Sequence, residues 1–294
     1  MKKTLHVVGI FLIILLISSI LAPLIFKFTD FKFHRILSRC VMVQVLLAMV
    51  IYFCRMDKSN LKSFFTAYGL QWQGRKSLVG IIQGFMCALS ILVLLMVIEV
   101  FMGARIVHLN IHDTFFIKLL TYVGAAFIIG FIEEFFFRGM IFNKMKLASL
   151  PAAFIVTNIF YALVHFFKAH DVVIGASPTI IDSFRVIGAL VQPFFSPVSI
   201  LPGFIGLFIF GFVLSYAYWR SRSLYHSIGI HAGAVFFLKA DGFFLNINDQ
   251  MPMIIYGDKN VYTGILGWLF LGLMGLVIMY ILRTFPAPTA DSGQ

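Results

Sequence analysis

Apolar residues fill this chain in long blocks, separated by short polar stretches such as "KFTDFKFHR" (27–35) and "RSRS" (220–223). An α-helix needs roughly 17 to 25 predominantly apolar residues to cross about 30 Å of hydrocarbon, and runs of that length recur from one end of the chain to the other. The pattern predicts eight spans, at about 5–26, 37–54, 79–102, 115–145, 150–167, 200–218, 224–240 and 262–283. The ten-residue alternation of a β-barrel strand is not visible. The expected fold is therefore all-α, a polytopic transmembrane helical bundle. It divides into N-terminal spans (1–114), a central core (115–240), and a last span with a short tail (241–294). The block that follows "MKK" is long, lacks a convincing cleavage site and runs at once into further spans, so it reads as a retained helix.

Composition sharpens this. Sixty-one per cent of the residues are hydrophobic, 12% are charged, and the mean hydropathy of +0.97 excludes an ordinary soluble domain. The net charge of +11 raises nucleic acid as a partner. Its distribution argues instead for a lipid bilayer: with both termini cytoplasmic, in the cell membrane, twelve basic residues from Lys2 to Arg283 fall on the inner side. The first outer loop, with Lys27, Lys32, Arg35 and Arg39, breaks that trend. Cys40, Cys54 and Cys87 have neither a disulfide pattern nor zinc-site spacing, and no Gly-rich phosphate loop is present.

One apolar block carries chemistry. "FIEEFFFRGM" (131–140) places Glu133, Glu134 and Arg138 within six residues of a predicted span. Intramembrane charges cost several kcal/mol and are kept where they face a bundle interior or a wet cavity. Glu134 and Arg138 are i and i+4, the favourable order for a helical ion pair. Glu133 points about 100° away and is left to another partner. If spans four and five form a hairpin turning near "KLASLP" (146–151), with Pro151 at the start of the second helix, Glu133 and His165 lie at equal depth. His231, about nine residues beyond "RSRS", approaches from the same side. A carboxylate and two imidazoles in a low-dielectric pocket can activate water, hold an oxyanion or bind a metal.

At these positions the sequence resembles the CAAX prenyl protease and bacteriocin-processing (CPBP, or Abi) family of intramembrane glutamic endopeptidases. "EEFFFRG" matches the first motif, E-E-x-x-x-R, at Glu133, Glu134 and Arg138. "YALVH" matches F-x-x-x-H in its histidine, His165, with Tyr161 at the phenylalanine position. "HAGAV" matches the third motif only in His231, with Val235 where an amide or carboxylate is usual. The resemblance covers about 115–240. It implies that Glu133 and His165 activate the attacking water, that His231 helps bind the oxyanion, and that Glu134 and Arg138 hold the site in shape. The substrate it implies is a membrane-associated peptide or lipidated protein, cut without a cofactor. Val235 removes one hydrogen-bond donor, leaving open a weaker enzyme, a substitute donor such as Tyr161 or a backbone N–H, or a non-catalytic scaffold of the same fold. A zinc peptidase using Glu133, His165 and His231 as ligands is a further alternative, weakened by the absence of H-E-x-x-H.

Outside this cluster, Glu99 is expected to snorkel to the outer interface. His6, His34, His108, His112, His170 and His226 sit at span ends or in loops and are expected to be solvated. The connection from Lys168 to Ile200 contains the amphipathic "IIDSFRVIGALVQPFF", which suggests a partial helix, and the glycines of "GILGWLFLGLMG" read as close helix packing.

Overall fold

A computed structural model describes residues 2–56, 61–111, 113–167 and 172–285. In chain order the elements are α1 (Lys2–Phe26), α2 (Phe33–Met56), α3 (Leu61–Ala67), α4 (Arg75–Phe101), β1 (Arg105–Val107), α5 (Phe115–Glu134), a π-helical segment (Phe135–Phe142), α6 (Asn143–Met145), α7 (Leu150–Val164), α8 (Ile180–Val191), α9 (Pro197–Ser221), α10 (Leu224–Ala240), β2 (Leu245–Ile247), α11 (Met253–Tyr256) and α12 (Ile265–Leu282). Each predicted span coincides with a helix, and α8 is the expected partial helix. Six helical stretches are long and apolar enough to cross a membrane: those beginning at Gly9, Phe33, Arg75, Phe115, Pro197 and Ile265. The fifth and seventh predicted spans are the shorter α7 and α10, of 15 and 17 residues. The chain is thus an integral membrane protein. His112, His170 and Lys58 lie outside the described residues, as do the side chains of Lys2, Lys3, His6 and Cys54.

The chain forms two compact units, residues 1–64 with 165–200 and residues 65–164 with 201–294. In the first, α1 and α2 make a hairpin against which α8 packs, with Ala22, Phe33, Ile36, Leu37 and Val186 buried between them. Two polar contacts pin the arrangement: Ser183 Oγ donates to Ser19 O at 3.0 Å, and Gln44 Nε2 donates to Ser18 Oγ at 2.9 Å. Helix α8 begins in a capping box. The Thr179 backbone N–H donates to the Asp182 carboxylate at 2.8 Å, so one side chain satisfies a donor that the helix start leaves open.

The second unit is organised around α10, which packs on α4 and α5. Glycines set how closely. Gly80 and Gly84 on α4, and Gly229 and Gly233 on α10, have the small-xxx-small spacing that lets two helix backbones touch. A Cβ at Gly229 would lie 2.2 Å from Ile81 O, and one at Gly233 would lie 2.5 Å from Phe85 O. Helix α5 closes in likewise at Gly130, where a Cβ would meet Ile228 O at 3.2 Å and His231 Cβ at 3.5 Å. At the far end of α4, β1 pairs antiparallel with β2, Arg105 opposite Ile247.

Three expectations need correction or refinement. Glu99 does not snorkel: it is fully buried and paired with Arg105, Nε to Oε2 3.0 Å, while Arg105 Nη2 also donates to Asp258 O. The strand after α4 brings the cation back to the carboxylate, which removes the need to reach water. His226 is not solvated but 5% exposed, with its ring against Gly80 and 5.5 Å from the ring of Phe285. Of the glycines in α12, Gly267 abuts Val261 O, but Gly272 has nothing within 4 Å of a Cβ position.

Candidate active site

The site is built from the junction of α5 and the π-helical segment. Glu133 and Glu134 end α5; the next turn carries Arg138 and closes with i→i+5 bonds, Asn143 N–H reaching Arg138 O. The expected ion pair forms within this turn. Arg138 Nη1 donates to Glu134 Oε1 at 3.0 Å with both side chains wholly buried.

Burying a guanidinium is tolerable only when its other N–H groups are satisfied. Helices α7 and α9 supply those partners. Arg138 Nη2 donates to Gly211 O at 2.9 Å and to Asn158 Oδ1 at 3.3 Å, and Nε reaches Ser215 Oγ at 3.4 Å. Asn158 is itself oriented, since its Nδ2 donates to Phe154 O at 2.8 Å and its Oδ1 accepts from Ser215 Oγ at 3.0 Å. The Tyr161 ring lies 4.3 Å from the guanidinium carbon, a buried cation–π contact. Gly211 is required here because a Cβ would lie 2.8 Å from Asn158 Oδ1 and 3.2 Å from Arg138 Nη2.

Glu134 has a second task. The Oε1 atom that accepts from Arg138 also lies 2.8 Å from His231 Nδ1 on α10. A carboxylate engaged by arginine can only accept, so Nδ1 carries the proton and donates. That fixes the imidazole and turns Nε2 toward Glu133, whose Oε2 is 3.8 Å away. The His231 ring is held edge-on between Tyr161 and Phe210, at centroid distances of 6.3 and 5.8 Å. Both glutamates of the motif thus converge on one imidazole, Glu134 at Nδ1 and Glu133 facing Nε2.

Residues 115–237 match the family model described as Rce1-like, type II CAAX prenyl endopeptidase. This stretch is similar to that CAAX-protease family. The match covers both carboxylates, Arg138, Tyr161, His165 and His231, and bears out the resemblance drawn from the three motifs. No curated protein and no solved structure matches the chain.

Of the candidate residues, Glu133, Glu134, Arg138, Tyr161 and His231 come together in the second unit. Val235 lies half-buried one turn beyond His231 on α10. His165 directly follows the last residue of α7 and opens the segment assigned to the first unit. Sequence reading missed Asn158, Gly211 and Ser215. An asparagine in the apolar run "AAFIVTNIFYALV", at i−3 to Tyr161, and a glycine–serine pair at i, i+4 in α9 are the signals that would have raised them. Among the described residues, no group of three His, Cys, Asp or Glu side chains is arranged to hold a metal ion.

Proposed function

We propose that the chain is an intramembrane endopeptidase that hydrolyses a peptide bond of a membrane-associated, lipidated peptide or protein, with water activated by Glu133 and His165. Glu133 takes a proton from the water as its oxygen attacks the carbonyl carbon. His231 acts with both ring nitrogens protonated, Nδ1–H held by Glu134 and Nε2–H donating to the developing oxyanion, and the proton held by Glu133 then passes to the leaving amine as the C–N bond breaks. Glu134 and Arg138 act through His231, as positioning residues. The observation that supports this most is the convergence of two adjacent glutamates on one buried imidazole inside the family-matched stretch. The reaction requires no metal in this reading. A cell-membrane location with both termini cytoplasmic accompanies it.

The test is cleavage of a lipidated C-terminal peptide by purified protein, with and without chelator. Glu133→Gln keeps size and hydrogen bonding but cannot take the proton, so turnover should fall about 10² to 10⁴-fold while folded yield is unchanged. His165→Ala should fall to a similar level. The double variant should be little worse than either, because residues acting on one water are strongly non-additive. Wild-type rates in Glu133→Gln would remove the glutamic mechanism, and no cleavage by the wild-type protein would leave the scaffold reading. Loss of activity on chelation would favour zinc.

A further inference from the structure

The first loop carries a feature that the proteolytic reading does not use. A cavity of about 760 Å³ opens at the end of the α1–α2 hairpin, lined by residues 26–32 and by Ala176, Ser177 and Pro178 just before α8. That volume is within the roughly 300 to 1,000 Å³ of small-molecule sites. Its walls mix aromatic and basic groups: Phe26, Phe28 and Phe31 with Lys27 and Lys32, against the single carboxylate of Asp30. Arg35 and Arg39 stand exposed on the first turns of α2. None of these five charged residues takes part in an ion pair among the described residues. Lys32 O accepts the first N–H bonds of α2, so the positive end of a 24-residue helix meets the cavity wall.

Two further observations say what fills it. Phe28 and Phe31 are 86% and 65% exposed at the mouth, and the outer face of α1 leads away from it as a continuous apolar strip through Leu24, Leu21, Ile20 and Ile17. The ligand therefore has an anionic head and an apolar tail. We propose that this cavity binds the phosphate headgroup of an anionic phospholipid, with Lys27 and Lys32 on the phosphate, Asp30 accepting from a headgroup hydroxyl, and the acyl chains along α1. Such a site also gives a physical reason for a basic loop that breaks the charge trend of the chain. Anionic lipid neutralises it.

Detergent-solubilised full-length protein, titrated separately with short-chain phosphatidylglycerol, the phosphatidylcholine of the same chains, and inorganic phosphate, tests this by native mass spectrometry. Phosphatidylglycerol should bind on the order of 30-fold more tightly than phosphatidylcholine. Lys27→Gln/Lys32→Gln should lose that preference by on the order of 30-fold, from the contribution of each lysine to anionic lipid binding. The charge-matched Lys62→Gln/Lys118→Gln should keep it. Both variants change exposed side chains, and an unaltered elution profile and Tm confirm that they fold. Equal affinity for the two lipids, or an undiminished preference in the Lys27/Lys32 variant, overturns the proposal. Inorganic phosphate binding as tightly as the lipid also overturns it, by showing a free-phosphate site.

Discussion

Arg138 carries more of the second unit's polar architecture than any other side chain described. It joins Glu134, Asn158, Ser215, the backbone of Gly211 and the face of Tyr161, and so ties α7 and α9 to the carboxylate that anchors His231. Removing it leaves Glu134 ionised in a dry site with only the imidazole for company. Arg138→Ala should therefore cost roughly 3 to 5 kcal/mol of stability, visible as a large drop in Tm in detergent. Arg138→Lys should recover only part of that loss, because an ammonium cannot reproduce the planar fork that meets Glu134 and Gly211 at once. An unchanged Tm in the alanine variant would show that the pair is hydrated. Glu133 behaves differently: its oxygen faces Nε2 at 3.8 Å rather than a guanidinium, so its loss should be felt in turnover before stability.

At the scale of the element, the position of α10 decides whether His231 reaches the glutamates, and glycine decides the position of α10. A methyl group at Gly229 would overlap the backbone carbonyl of Ile81, which cannot rotate away as a side chain can. Gly229→Ala should push α4 and α10 apart, lowering Tm and activity together by an overpacking cost of about 1 to 3 kcal/mol. Gly272→Ala, with open space around it, should leave Tm unchanged or slightly higher. Helix α8 offers an independent check on local chemistry. Hydrogen bonds from Thr179 hold the Asp182 carboxyl below the usual aspartate range. A depressed folded-state value means that the cap's contribution is present above the unfolded pKa and is lost as pH falls through the folded one. Asp182→Ala should thus speed hydrogen exchange in the first turn of α8 at pH 7, and the difference from wild type should shrink only as pH falls below the ordinary aspartate range.

At the scale of the whole molecule, the number of crossings is the open architectural quantity that experiment can read directly. Helices α7 and α10 are about 22 and 25 Å long at 1.5 Å per residue, shorter than the hydrocarbon core of about 30 Å. Eight crossings with a cytoplasmic N-terminus put Gly175 outside and Arg222 inside; six crossings, with α7 and α10 re-entrant, reverse both. The eight-crossing arrangement is expected, because it keeps Arg220 and Arg222 on the cytoplasmic side, whereas six crossings place this basic turn outside. Reporter fusions at Gly175 and Arg222 should place them outside and inside respectively. The reverse result would make α7 and α10 short helices that enter and leave by one face.

Sequence alone determined the membrane character, the number and order of the main helices, and the ion pair of Glu134 with Arg138. These follow from local composition and from the helical turn, which brings i and i+4 within reach of each other even where, as at Arg138, it widens to a π-helix. The motifs also named Glu133 and His231 before any geometry was known. Tertiary structure decided what cannot be read along one helix. It brought Asn158, Gly211 and Ser215 from distant helices to complete the guanidinium's hydrogen bonds, a requirement that exists only once Arg138 is buried. The fold also gave Glu99 its partner by turning the chain back at β1, so a residue expected to seek water is sealed away from it. Likewise it buried His226 against Gly80, because the close approach of α4 and α10 leaves no room for solvent there. Local patterns fix which segments are helices; which polar group meets which is set by the distances between helices, and here those distances are set by glycines.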